Sequence, residues 1–238
     1  MSVNTPHLFF TKALKLYNNR NSFFNLIKGI LNKSQRNQIQ PTRDEESIMI
    51  GILLSDGWTQ QNKGWNPRLG FKQSVKNWHY FFSVYTRLSH LCSGLPFLAT
   101  NIKRGKRFWA LTFQTRRLKS LKPITALFYR EDYKVKTISS NLLNYMDIIV
   151  LAHWIMGDGA KRNKGVLLCT DNFTVREVVL LINIIYIKFG ILSTIHMDKN
   201  RPRIYISRKM ISNYSFILKL DSHIVSSMKY KIQGLLDV

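Results

Sequence analysis

The chain has 238 residues, 45% of them hydrophobic, and 36 Lys and Arg against 13 Asp and Glu, a net charge of +23. That length and apolar content exclude an intrinsically disordered chain and leave room for one large domain or two small ones. The charge calls for a polyanionic partner, with nucleic acid ahead of an anionic membrane surface. Two cysteines, Cys92 and Cys169, without a CxxC pair, and six scattered histidines argue against a disulfide framework, a zinc site or a histidine-based metal site. No span reaches the ~20 apolar residues of a membrane helix. The longest candidate, "VVLLINIIYIKFGIL" (178–192), is broken by Asn183, Lys188 and Gly190.

Residues 1–43 hold seven Lys or Arg and no acid. They read as a basic arm on a protein made inside an organelle, in preference to a cleaved mitochondrial presequence. The first strong element is the apolar segment "IMIGILLSDG" (48–57). Asp44, Glu45 and Glu46 place acids in its first turn, where the helix dipole favours them, and Gly57 is a natural stop. A glycine-punctuated segment with strand character follows, "GWNPRLGFKQS", and then an amphipathic helix predicted from Val75 to Leu91. "RFWALTFQT" (107–115) reads as a strand, and a helix is predicted from Leu118 to Tyr129. Between Asp56 and Glu131 there is no acid, only 14 Lys or Arg. Lys103, Arg104, Lys106, Arg107, Arg116 and Arg117 flank the strand, and with no acid nearby to neutralise them they point to phosphate contact.

The order then repeats. Asn144, with Asp147 three residues on, is an N-terminal signal for a second apolar helix ending in "LAHWIMGDG" (151–159). "AKRNKGVLLCT" reads as a turn and strand, followed by a helix from Thr174 to Phe189. The strands "ILSTIHM" and "PRIYIS", joined by a turn at "DKNR", precede a helix predicted from Met210 to Leu218. Each half closes on a lysine: Lys136 lies 80 residues after Asp56, and Lys231 lies 73 after Asp158. The two apolar helices are hydrophobic nearly all round and too short for a membrane. They are expected to pack on each other, with Gly51 allowing close approach, which brings Asp56 and Asp158 together. Two carboxylates at the negative ends of helix dipoles call for a cation, and a hard divalent ion such as Mg²⁺ suits them.

These residues resemble the two signature motifs of the LAGLIDADG homing endonucleases, in the monomeric two-motif form of organellar introns. In nine-residue register, "MIGILLSDG" puts Gly51 third, Asp56 eighth and Gly57 ninth; "LAHWIMGDG" puts Asp158 and Gly159 last, with His153 third in place of glycine. That departure suggests a wider helix crossing at His153. The likeness continues through "LLCTDNFTVREVVLLI", "MDKNRPRIYIS" and "SMKYKI" and covers residues 44–232. It implies an α+β fold of two pseudo-symmetric αββαββα half-domains, 44–137 and 138–238, each with a saddle-shaped antiparallel sheet for the DNA major groove. Gly51, Gly57, His153 and Gly159 would pack the motif helices. Asp56 and Asp158 would bind Mg²⁺ (or Mn²⁺), with Lys136 and Lys231 as further catalytic residues. Lys161, Arg162, Arg201 and Arg203 would join the first-half cations in holding DNA.

Asp198 is a weaker candidate for positioning water, and Trp65 and Trp109 read as core rather than DNA contacts. Ser55 and Gly157, just before the two aspartates, cannot replace either carboxylate. The partner is then double-stranded DNA, with host intron RNA as a second candidate, no membrane, and the chain a monomer in a mitochondrion or chloroplast, organelle-encoded rather than imported. Two rivals share the scaffold: an intron maturase, which binds RNA as a splicing cofactor, and a DNA-binding regulator that has lost its acids. Retention of both aspartates and both lysines favours cleavage.

Overall fold

The computed structural model describes residues 31–103, 105–129 and 135–236. Most of the N-terminal arm and Arg104 lie outside the described residues, as do the side chains of Lys103 and Lys106.

A short helix α1 (Lys33–Gln38) precedes the first motif helix α2 (Arg43–Leu54). Thr42 starts α2: its side chain accepts from the Glu45 N–H, and Glu45 returns a carboxylate to the Thr42 N–H at 2.8 Å. The second motif helix, α5 (Ile148–Asp158), starts later than the Asn144 signal suggests. Asn144 ends a 3₁₀ turn (Ser140–Asn144), and the cap is Asp147, whose side chain accepts from Val150 N at 2.9 Å. The other Asp147 oxygen accepts from Ser47 of α2 at 2.5 Å, which ties the starts of the two motif helices together. From Ile48 to Leu54, and from Val150 to Met156, every residue is buried. The two helices form the centre of one continuous core.

Each motif helix feeds a four-stranded antiparallel sheet. The first comprises β1 (Gly57–Gln60), β2 (Arg68–Ser74), β3 (Phe97–Lys103) and β4 (Lys106–Gln114), in the order β1-β2-β4-β3. The second comprises β5 (Gly159–Lys161), β6 (Gly165–Cys169), β7 (Thr194–Asp198) and β8 (Arg201–Ser207), in the equivalent order β5-β6-β8-β7. The helices α3 (Trp78–Leu88) and α6 (Val175–Phe189) lie where the apolar periodicity puts them. Alternation sorts each strand: Pro202, Ile204 and Ile206 of β8 are buried, while Arg201, Arg203 and Tyr205 face outward.

Four expectations change. β1 and β3 are strands that the sequence reading passed over. "FLATNIK" lacks a clean apolar alternation, and pairing along β4 is what holds it extended. The helix expected over 118–129 shrinks to α4 (Lys122–Ala126) after a 3₁₀ turn, because Pro123 sits in its first turn and sets its start. The last long helix, α7 (Tyr214–His223), starts where Asn213 accepts from Ser215 N at 2.9 Å, not at Met210. A final turn of helix, α8 (Gln233–Leu236), follows.

Candidate active site at the ends of the motif helices

The helices α2 and α5 cross without space for a side chain at two points. A Cβ on Gly51 would stand 2.5 Å from His153 Cβ and 2.7 Å from Val150 O. A Cβ on Gly157 would strike the Ser55 side chain. The expected wider crossing at His153 is therefore not what occurs: the histidine occupies room that Gly51 vacates. Its Nδ1 lies 3.3 Å from the Tyr80 hydroxyl, which also donates to His153 O at 3.2 Å. Burial holds its pKa down to about 3, so the ring is neutral and serves packing.

Gly57 and Gly159 end the helices by a different device from the left-handed cap. Gly159 is extended, at φ −78°. Its missing Cβ, and that of Gly57, would lie 2.5 and 2.8 Å from Ile155 O and Ile52 O. Glycine lets β1 and β5 start hard against the last helical turn, and this fixes the direction of the aspartate just before each.

Asp56 and Asp158 come together, as their place at the ends of packed helices requires. Asp56 Oδ2 lies 3.4 Å from the Cβ position of Gly157, the residue before Asp158. Burial, and after it the charge of Asp56, pushes the Asp158 carboxyl up to about 7. Burial also raises Asp56, although a hydrogen bond donated by Gln73 Nε2 to its Oδ2 opposes the rise. Gln73 is buried and is itself held by Asn77, whose Nδ2 donates to Gln73 Oε1 at 3.0 Å. Sequence reasoning missed Gln73. The signal was present: Leu69, Phe71 and Gln73 share one face of β2, so a polar side chain falls on a core-facing position.

The two lysines join the site. Lys136 Nζ donates to Leu53 O at 2.5 Å and Gly57 O at 3.0 Å; Lys231 Nζ donates to Met156 O at 2.6 Å and Gly157 O at 2.8 Å. Each ammonium thus satisfies the last carbonyls of its own half's motif helix, where the dipole is negative. Each also faces across the centre. The stronger charge partner of Lys136 is Asp158, and that of Lys231 is Asp56. Burial pushes Lys136 down to about 8 and lowers Lys231 as well, with both aspartates acting the other way.

The remaining predicted cations are spread out. Arg107, Lys161 and Arg162 are exposed at the sheet ends. Arg116 and Arg117 follow β4 and are engaged by protein: Arg116 Nη1 donates to Cys92 O, and Arg117 lies 4.8 Å from the Trp65 ring. Trp65 is 58% exposed, so it is not core, because it sits in the loop before β2 with Arg117 as its cover. Trp109 is half-buried. Arg201, Arg203 and Asp198 share one ion-pair cluster with Asp171, which sequence reasoning also missed. Among the described residues no three His, Cys, Asp or Glu gather as a metal cluster, and no helix is long and apolar enough to cross a membrane.

Two buried helices that end in paired Asp-Gly steps, each feeding a β1-β2-β4-β3-type sheet, define a protein class. Residues 46–213 match the LAGLIDADG DNA endonuclease family, and the chain belongs to it. The chain is 36% identical over 198 residues to probable intron-encoded endonuclease 1 of Wickerhamomyces canadensis, covering 79% of this chain and 83% of that one. It is 30% identical over 227 residues to the cytochrome b mRNA maturase bI2 of Saccharomyces cerevisiae, covering 91% of this chain. It spans 54% of that relative's length. Among solved structures, the homing endonuclease I-WcaI bound to its DNA recognition sequence matches with a TM-score of 0.75 at 26% identity, over 86% of this chain and 94% of that one.

Proposed function

We propose that the chain is a site-specific homing endonuclease that hydrolyses both strands of a long, asymmetric DNA duplex at the Asp56–Asp158 centre, and so promotes intron mobility. The observation that carries this reading is the forced proximity of two carboxylates. Helix packing holds them together although burial and mutual repulsion make their ionised forms costly. RNA binding alone has no use for such a pair.

The donor set fits a divalent cation. Both side chains offer hard oxygens, and an ion replacing their protons would relieve the repulsion. Mg²⁺, or Mn²⁺ in its place, is held by one or two carboxylates when phosphate oxygens and water complete its shell. When bound, it would polarise a phosphoryl oxygen and lower the pKa of a water. The chain's own groups do the rest. Gln73 fixes the rotamer of Asp56. Lys136 and Lys231 neutralise the helix ends and present ammonium groups to a phosphate at the centre. With its pKa near 8, Lys136 Nζ can also exchange a proton close to neutral pH. The outward faces of the two sheets would lie along the major groove, where a β-ribbon can read base edges.

Relatives named intron-encoded endonuclease and a DNA-bound structural match support this reading. The two motifs in one chain support action as a monomer. Relatives named for cytochrome b, a respiratory-chain protein, support an organellar and specifically mitochondrial origin. The same names favour a second reading, splicing of a host intron by RNA binding. Incubation of the purified chain with its intronless insertion-site DNA and Mg²⁺ separates the two. Site-specific double-strand breaks are expected. A chain that binds its intron RNA and leaves that DNA uncut would make the maturase reading the correct one.

A further inference from the structure

Four charged side chains cluster on the outward face of the second sheet. Arg203 Nε and Nη2 donate to Asp171 Oδ1 and Oδ2 at 2.9 and 3.2 Å, and its Nη1 lies 2.6 Å from Asp198 Oδ2. Arg201 Nη1 donates to the same Asp171 Oδ2 at 3.3 Å. The register of β7 and β8 places Asp198 opposite Arg201 and His196 opposite Arg203, so all of these side chains share one face.

The cluster is electrically neutral, and that is odd on a surface that meets DNA. The chain has 13 acids in all. Two of them stand here, where they cancel the attraction that two arginines would offer to phosphate. What the carboxylates supply instead is fixed geometry. An unrestrained arginine loses considerable rotamer freedom when it binds. Arg203 has already lost it: Asp171 takes the Nε edge, Asp198 holds Nη1, and the side chain is only 22% exposed. Of the five N–H groups of the guanidinium, these contacts take three and leave one on Nη1 and one on Nη2. Two such donors on one planar group match the O6 and N7 acceptors of guanine in the major groove.

At the matching positions the first sheet has no counterpart. Gly57 pairs with Phe71 as Gly159 pairs with Leu168, which aligns the two sheets. On that alignment Thr112 stands where Arg203 is, Ala110 where Arg201 is, Ala99 where Asp198 is and Ser74 where Asp171 is. The cluster is therefore a property of one half, as expected of a device that reads one half of an asymmetric target and not of one that the shared fold needs.

We propose that Asp171 and Asp198 are positioning residues that hold Arg203 to read a guanine in the DNA half-site under the second sheet, with Arg201 as the phosphate contact beside it. The proposal rests on the DNA-endonuclease reading above and deepens it. It also gives Asp198 a role other than the placing of water.

The test is selection of bound sequences from a randomised duplex pool, with Ca²⁺ in place of Mg²⁺, for the parental chain and for Arg203→Lys, Asp198→Asn and Asp171→Asn. The parental chain should enrich a G·C pair at one position of that half-site. Arg203→Lys and both Asn variants should lose that preference by roughly 10-fold or more, the scale of one bidentate base contact, and keep the parental bases at every other position. The unchanged positions report that the variants are folded. If Asp198→Asn binds all sequences more tightly with an unaltered profile, the carboxylates only neutralise charge and the proposal falls. It falls equally if Arg203→Lys retains the guanine. A parental chain that enriches no sequence at all would instead sink the endonuclease reading on which the proposal rests.

Discussion

In the first half, Asp56 accepts a hydrogen bond from Gln73; in the second, the residue at the same register is Thr170, and its hydroxyl goes to Pro202 O at 2.5 Å. The strands of the two halves match in order and register, yet the two carboxylates are not equivalent. Asp56 has a donor that stabilises its charge, while Asp158 is raised by burial and by Asp56 itself. The helix crossing shows the same division. At the third motif position the first half supplies Gly51 and the second His153; at the seventh, the first supplies Ser55 and the second Gly157. Each contact pairs a glycine with a larger residue, and the halves exchange the roles. One unit used twice supplies the frame, and pairwise side-chain choices then adapt each half to the other. Under the proposed function, two centres built this way would be free to differ in rate and in the DNA each one meets.

The largest expected effect tests whether both halves are needed. Asp56→Asn and Asp158→Asn should each abolish double-strand cleavage, a loss beyond the roughly 100-fold that removal of an outer-shell partner costs. DNA binding measured with Ca²⁺ should persist, because losing one member of a crowded carboxylate pair relieves repulsion. Cleavage by both variants at the parental rate would show that the Asp-Gly ends are merely structural.

The next comparison sets Gln73→Leu against Thr170→Val. The first should slow cleavage roughly 10- to 100-fold through loss of the Asp56 orienter, with a nicked intermediate accumulating under single-turnover conditions. The second should leave the cleavage rate near the parental value and cost only about 1 kcal/mol of stability. Equal slowing by both would contradict the asymmetry of the two carboxylates.

Glycine exchange is testable by thermal unfolding. Gly51→Ala and Gly157→Ala should each cost about 1–3 kcal/mol through overpacking. Adding Ser55→Gly should restore most of the loss in Gly157→Ala, since the clash there is with the Ser55 side chain. Adding His153→Gly to Gly51→Ala should restore less, because Val150 O remains 2.7 Å from the new Cβ.

The smallest effect concerns pH. The Asp158 carboxyl titrates at about 7 in the fold, against an ordinary 3.8. Between those values the native chain holds a proton that the unfolded chain releases, so this group destabilises the fold progressively as pH rises from about 4 to about 7. Without divalent cation, Asp158→Asn should melt a few degrees higher than the parent at pH 8, and the gap should close by pH 4. A gap that widens towards acid would reverse the assignment. Cation binding should weaken below pH 7 for the same reason, since the proton competes for the carboxylate.

The sequence by itself determined what rests on neighbours within a turn or two. The acids of its first turn mark the start of α2, the long apolar stretches mark the buried helices, each Asp-Gly step ends one, and the repeated order discloses two halves. The +23 charge called for a polyanionic partner without any fold. The tertiary structure decided what rests on residues far apart in the chain. Lys136 reaches a carbonyl 83 residues away, Arg203 meets Asp171 across 32, and Gln73 meets Asp56 across 17. β3 is held extended by its pairing to β4, and His153 fits because Gly51 stands opposite. Capping and periodicity are local and can be read in order along a chain; a pair contact exists only once packing has chosen which helix faces meet.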